Sequence, residues 1–187
     1  MVHIRGEKNM HNLVPKFIRD KQAAGQTNGR FHGVVLFVDT SGFTALSARL
    51  MAYGKEGAEI LAQVLTAVFD PLVHRVYANG GFIAGFAGDA FKAVFPDLSS
   101  ESYLRTVQAA QQIKQFMAGN DSYSTPYGEF NLAVRASIAA GEITWGIWSV
   151  DADAALNQSA VYTFGGEAID TAVSGEDFAE AGDTVVT

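Results

Sequence analysis

The stretch VVLFVDTSGFT, residues 34–44, decides the fold. Its first five residues are apolar, and most of them are β-branched or aromatic, which is typical of a strand buried on both faces of a sheet. At Asp39 the composition changes to acidic, hydroxyl and glycine residues, and beyond them Leu46, Leu50 and Met51 recur at helical spacing. The pattern therefore predicts a buried strand that ends at Asp39 and leads into a helix.

The rest of the chain alternates between helical and strand patterns. Apolar residues at helical spacing predict helices over residues 12–24, 55–77, 103–117 and 167–181. β-branched or alternating runs predict strands over residues 82–86, 90–95, 130–138, 142–148, 161–164 and 184–187. Pro71 lies inside the second helix, so we expect a kink or a break there. These patterns predict an α/β (α+β) chain with an N-terminal extension, 1–29, that carries the short first helix, and one domain, 30–187.

Composition excludes several classes of function. The chain has 187 residues, a formal net charge of −7 and a pI of about 5.0, which argues against nucleic-acid binding because such domains carry a basic excess. It has no cysteine, so disulfides and thiolate metal sites are excluded. The longest charge-free runs, 76–88 and 154–166, are shorter than a membrane-spanning helix, and the first residues lack a signal-peptide core. We therefore expect no membrane segment and a cytoplasmic location.

Two aspartates stand out by position. Asp39 follows the buried strand directly, and Asp89 occupies a Gly-Asp turn between two short strands. Carboxylates at strand ends that lie within reach of each other suit Mg²⁺ or Mn²⁺, which prefer oxygen ligands. Each residue also has a structural alternative, since Asp39 fits a helix N-cap and Asp89 fits an ordinary turn.

Residues 40–44, TSGFT, form a glycine-containing turn that opens a helix. The free backbone N–H groups at a helix N-terminus attract phosphate. Carboxylates, a divalent metal and a phosphate cradle together indicate nucleotide chemistry. An aspartyl-phosphate phosphatase is disfavoured, because that class normally has a second aspartate two residues after the first and this chain has Ser41 there.

Five segments in this order carry a resemblance to a known family: FVDTSGFT (37–44), GKEGAE (54–59), FDPL (69–72), GG (80–81) and FAGDA (86–90). They resemble the catalytic domain of class III adenylyl and guanylyl cyclases, including the spacing of 89 − 39 = 50 between the two aspartates. The resemblance covers about residues 30–187. The stretch before it is similar to the lead-in to the first of two tandem domains in soluble, bicarbonate-responsive adenylyl cyclases.

The resemblance implies a ferredoxin-like βααββαβ core that works as a head-to-tail dimer, with ATP in the cleft between two domains. It implies that Asp39 and Asp89 are catalytic and, with the main-chain carbonyl of Thr40, hold two Mg²⁺ or Mn²⁺ ions. The residues that would receive the triphosphate are Ser41, Gly42, Phe43 and Thr44. The implied reaction converts ATP to cyclic AMP and pyrophosphate.

Three positions depart from the family. Gly85 stands where members that complete their own site have a base-reading lysine, and Asp170 and Ser174 stand where they have a transition-state asparagine and arginine. Because such an arginine stabilises charge on the transferring phosphoryl group, we expect a homodimer to turn over poorly. We also expect the chain to self-associate weakly, through the face that bears the Asp170 helix. The chain is therefore interpreted as the metal-binding half of a heterodimer whose second cyclase domain supplies these groups. A catalytically silent cyclase-homology domain with a nucleotide-binding or regulatory role is the alternative.

Overall fold

The computed structural model describes residues 14–149 and 160–187, so the first 13 residues of the predicted extension and residues 150–159 lie outside the described part. The helices are α1 (Lys16–Ala23), α2 (Phe43–Met51), α3 (Gly54–Ala78), α4 (Ser100–Ala118) and α5 (Glu167–Gly175), followed by a 3-10 turn (Glu176–Phe178). The strands are β1 (Asn28–Ser41), β2 (Phe82–Ala87), β3 (Ala90–Pro96), β4 (Ser122–Thr125), β5 (Gly128–Asn131), β6 (Ala133–Ser149), β7 (Ala160–Gly165) and β8 (Thr184–Val186).

One sheet organises these elements. Its strands lie in the order β2-β3-β1-β6-β7, all antiparallel, and β8 pairs in parallel with β6. β4 and β5 form a separate hairpin. The succession β1-α2-α3-β2-β3-α4-β6 is the expected βααββαβ core, so the predicted α+β fold class is confirmed.

β1 is the central strand because its sequence suits burial on both faces. Residues 33–40 are all buried, and successive side chains enter opposite cores. Val34, Leu36 and Val38 pack under α2, α3 and α4. Val35 and Phe37 pack under α1 and α5. The alternation in one strand thus places helices on both sides of the sheet.

Three predictions about the bounds of elements were wrong. β1 continues through Asp39 to Ser41, because its edge remains paired with β6 over the whole run from Asn28 to Ser41. Most of the two strands predicted over 130–138 and 142–148 is one strand, β6, since Gly141 pairs in extended register with Gly33 instead of turning, while residues 130–131 end β5. The last helix ends at Gly175 and not at residue 181.

Pro71 does not break its helix. α3 runs without interruption from Gly54 to Ala78, and the Pro71 carbonyl accepts a hydrogen bond from the Arg75 guanidinium at 2.7 Å. No helix within 14–149 or 160–187 is long and apolar enough to cross a membrane.

Candidate active site

The two predicted aspartates meet at one end of the sheet. Asp39 lies in β1 directly opposite Ala90 of β3, so the β2–β3 turn that carries Asp89 lies beside it. The backbone N–H of Thr40 donates to the Asp89 carbonyl oxygen at 3.2 Å, which ties this turn to the end of β1. The fold therefore brings together the main chains of two aspartates that are 50 residues apart in the chain.

Asp39 is a buried member of the strand and not a helix cap. Only 9% of the residue is exposed, and the N-cap of α2 is Gly42. The structural alternative in which Asp39 caps that helix is therefore wrong. A carboxylate this buried needs a cationic or hydrogen-bonding partner, because an unpaired charge in a dry site is costly.

The partner of Asp39 is a residue that sequence reasoning missed. Arg135 lies opposite Asp39 in the β1–β6 ladder, and its Nε donates to Asp39 Oδ2 at 2.9 Å. The other side of the guanidinium pairs through Nη2 with Glu176, in the 3-10 turn after α5. One cation thus bridges two carboxylates from different elements.

The pKa of Glu176 depends on the acidic residues that lie around it. Burial and then the negative charge of Asp39 raise its pKa above the ordinary value, Asp177 and Asp89 add to the rise, and Arg135 opposes it. Both predicted metal-binding aspartates therefore act on the same carboxyl group. Their fields overlap at this end of the sheet.

The donor set fits a hard divalent cation. Asp39 and Asp89 offer carboxylate oxygens, and of these Asp39 Oδ2 accepts a hydrogen bond from Arg135. Among residues 14–149 and 160–187 no group of three or more acidic, histidine or cysteine side chains is placed to hold a metal ion, so the side chains offered here are the two aspartates. Mg²⁺ is usually bound in this way, through one or two carboxylates with the remaining ligands from water and substrate phosphates. The main-chain carbonyl of Thr40, between Asp39 and Ser41, is the further oxygen that the family resemblance implies.

The predicted phosphate turn has the required backbone. Gly42 has a φ of +91°, and a β-carbon there would lie 2.4 Å from the Asn131 carbonyl oxygen, so only glycine fits. The N-cap makes no side-chain hydrogen bond, which leaves the first N–H groups of α2, at Phe43 and Thr44, without a cap. The Ser41 hydroxyl donates to the Ala133 carbonyl at 3.2 Å, so it anchors the turn to β6. Residues 41–44 thus form a turn that exposes backbone donors near the two aspartates.

The three positions that depart from the family are accessible. Asp170 and Ser174 are exposed and lie one turn apart on α5. Gly85 is paired with Lys92 of β3, and the Lys92 Cε lies 4.0 Å from where a β-carbon at position 85 would be. Position 85 therefore has room for a side chain, and the nearest cation comes from the neighbouring strand.

Two residues of the site, Arg135 and Glu176, were missed in the sequence analysis, and only Arg135 has a recognisable signal in the sequence. Arg135 is the one charged residue among the mostly apolar residues 132–140, and a charge in such a strand calls for an oppositely charged partner. Glu176 has no such signal, because it lies in a polar segment after a helix and only the fold brings it to Arg135.

Comparison with known proteins places the chain in a structural class. No family model matches the sequence. The adenylyl cyclase CyaB from P. aeruginosa superposes with a TM-score of 0.66 at 24% identity, covering 86% of this chain and 78% of that one. The guanylate cyclase domain of RhGC from Catenaria anguillulae, solved in complex with GTP, gives a TM-score of 0.64 at 20% identity, covering 84% and 79%.

The fold is that of the class III nucleotidyl cyclase catalytic domain, whose adenylyl and guanylyl members are its structural neighbours. In sequence the chain is homologous to a segment of adenylate cyclase type 10. The Mus musculus protein is 30% identical over 161 residues, which is 84% of this chain and 9% of that protein. The Oryctolagus cuniculus protein is 34% identical over 118 residues, which is 61% of this chain and 7% of that protein. The chain thus spans a small part of these relatives, and the resemblance seen in the sequence is confirmed.

Proposed function

We propose that this chain is the metal-binding half of an adenylyl cyclase that converts ATP to cyclic AMP and pyrophosphate when it pairs with a second cyclase domain. The observation that carries the proposal is the convergence of Asp39 and Asp89 through the Thr40–Asp89 backbone hydrogen bond. The choice of ATP over GTP rests on the names of the related sequences, adenylate cyclase type 10.

In this proposal each residue of the site has a defined task. Asp39, Asp89 and the Thr40 carbonyl hold two Mg²⁺ or Mn²⁺ ions, and the N-terminus of α2 receives the triphosphate through its uncapped N–H groups. The bound ions supply activation of the ribose 3′-hydroxyl and neutralisation of the leaving pyrophosphate. Asp39 is held in place by the β1–β6 ladder, which limits the reorganisation needed when ligands bind.

The missing groups define the partner. Gly85, Asp170 and Ser174 supply neither a base-reading cation nor a transition-state asparagine and arginine. We infer a head-to-tail heterodimer in which a second cyclase domain provides those three groups, with a weak homodimer as the form of the chain alone. The exposure of Asp170 and Ser174 is consistent with a cleft between two domains.

A silent, nucleotide-binding domain is the second candidate. It is favoured by the bond from Arg135 to Asp39, which neutralises one predicted metal ligand, and by the three substituted positions. The two candidates differ in one outcome, namely whether turnover appears once a complementary domain is present.

A complementary domain can be made from the chain itself. One variant, Gly85→Lys/Asp170→Asn/Ser174→Arg/Asp39→Ala/Asp89→Ala, restores the missing groups and removes the metal ligands. Joining it to the unmodified chain by a flexible linker raises their effective concentration to the millimolar range. We expect cyclic AMP from ATP and Mn²⁺ only in this fusion.

The matched control is the same fusion with Asp39→Ala in the unmodified half, which should be inactive. If the first fusion binds ATP and Mn²⁺ but forms no cyclic AMP, the catalytic proposal is wrong and the silent domain is supported. If the fusion with Asp39→Ala still forms cyclic AMP, then Asp39 is not a metal ligand of the active site.

A further inference from the structure

The bridge formed by Arg135 raises a question about how a divalent cation reaches Asp39. The guanidinium Nε lies 2.9 Å from Asp39 Oδ2, and the Asp39 side chain is only 13% exposed. Two cations at one carboxylate repel each other strongly in a partly dry site. Arg135 must therefore give up Asp39 when a divalent cation binds there.

The main chain of Arg135 stays fixed in the β1–β6 ladder when the guanidinium leaves Asp39. Its side chain is 35% exposed and begins in the middle of a paired strand, which limits where the guanidinium can go. Glu176 already bonds the Nη2 end of this guanidinium, and its own side chain is 20% exposed. Glu176 is thus the anion that remains to Arg135 once Asp39 is released.

We propose that Glu176 is a positioning residue of the metal site, which holds Arg135 away from Asp39 in the metal-bound state. This inference rests on the proposed metal-binding function of Asp39 and Asp89. Without Glu176, Arg135 has Asp39 as its hydrogen-bonded carboxylate, and it competes with the divalent cation for the same oxygen. Asp177 is a matched neighbour, since its charge acts on Arg135 but no hydrogen bond joins the two side chains.

The test is a double-mutant cycle read by Mn²⁺ binding to the full chain, measured by calorimetry or by electron paramagnetic resonance without nucleotide. We expect Glu176→Gln to weaken Mn²⁺ binding by about tenfold, Asp177→Asn to have a smaller effect, and Arg135→Ala to strengthen binding. In the Arg135→Ala background, Glu176→Gln should cost no more than Asp177→Asn does, because the competing guanidinium is gone.

The outcomes separate this inference from the function on which it rests. Equal weakening by Glu176→Gln in both backgrounds would show that Glu176 acts directly on the metal, which overturns the positioning role. No effect of Glu176→Gln in either background also overturns it. If the unmodified chain binds no Mn²⁺, or binds it equally well after Asp39→Ala, the proposed function itself fails and this inference fails with it. Circular dichroism on each variant confirms that the fold is retained.

Discussion

At the scale of single residues, Gly42 is the position whose backbone the site depends on most. Its φ of +91° and the 2.4 Å approach of the Asn131 carbonyl oxygen to a β-carbon there leave no room for a side chain. We expect Gly42→Ala to lower the free energy of unfolding by about 2–4 kcal/mol, as the sum of backbone strain and the displacement of β5. Urea denaturation measures this change.

The control for that prediction is Gly54→Ala. Gly54 has a φ of +60° but nothing within 4 Å of a β-carbon, so the substitution adds backbone strain without a clash. A loss of stability at Gly42 no larger than at Gly54 would show that the contact with Asn131 is not maintained in solution.

The residues of the site were predictable to different degrees. Asp39 and Asp89 could be identified from the sequence because each lies at the end of an apolar strand pattern, and such a pattern involves only neighbouring residues. Their approach to each other depends on the pairing of β1 with β3, which the motif spacing only implied. Glu176 was not predictable, since its contact with Arg135 joins two elements about 40 residues apart through the packing of α5 on the sheet.

At the scale of elements, α1 is an integral part of the second core. Ile18 is 2% exposed, and the neighbouring Phe17 ring lies 4.9–5.8 Å, centroid to centroid, from four aromatic rings of the domain. The described residues on both sides of the boundary proposed at residue 30 therefore pack in the same core. α1 is short, so this packing and not its helix propensity holds it in place.

We expect Ile18→Ala to reduce the free energy of unfolding by about 2–4 kcal/mol, because it removes a buried side chain and leaves a cavity. Arg19→Ala, at an exposed position of the same helix, should change it by less than about 0.5 kcal/mol. Guanidinium denaturation of both variants measures the difference. Equal stabilities would mean that α1 does not contribute to the cooperative unit.

Two of the errors in predicting elements share one cause. Gly141 and Pro71 were interpreted as breaks because local propensity favours turns at glycine and interruptions at proline. The long pairing of β6 with β1 overrides the first, and the buried apolar face of the 25-residue helix α3, which packs on the core on both sides of Pro71, overrides the second. The strongly apolar run of β1 was predicted well since burial on both faces leaves no competing interpretation.

At the scale of the whole molecule, the segment from α5 through the 3-10 turn presents apolar side chains to solvent. Val173 is 40% exposed and Phe178 is 77% exposed, next to Asp170 and Ser174. Exposed apolar groups grouped in this way are typical of an association surface. This is the face through which the proposed weak homodimer would form.

We expect Phe178→Ser to weaken self-association, measured by sedimentation equilibrium at high protein concentration, while leaving the unfolding free energy unchanged. The matched control is Leu104→Ser on α4, which is 62% exposed and belongs to the layer on the opposite face of the sheet. If dimerisation weakens equally in both variants, or in neither, then the dimer contact does not lie at Phe178.

The hydrogen bond between the Thr40 N–H and the Asp89 carbonyl has a consequence for how such domains diversify. It joins main chain to main chain, so the attachment of the β2–β3 turn to β1 does not depend on either carboxylate. Turnover can then be lost, and later regained, through a few substitutions on an unaltered scaffold. A duplicated copy of the gene would then keep this attachment while its side chains drift toward sensing or toward catalysis.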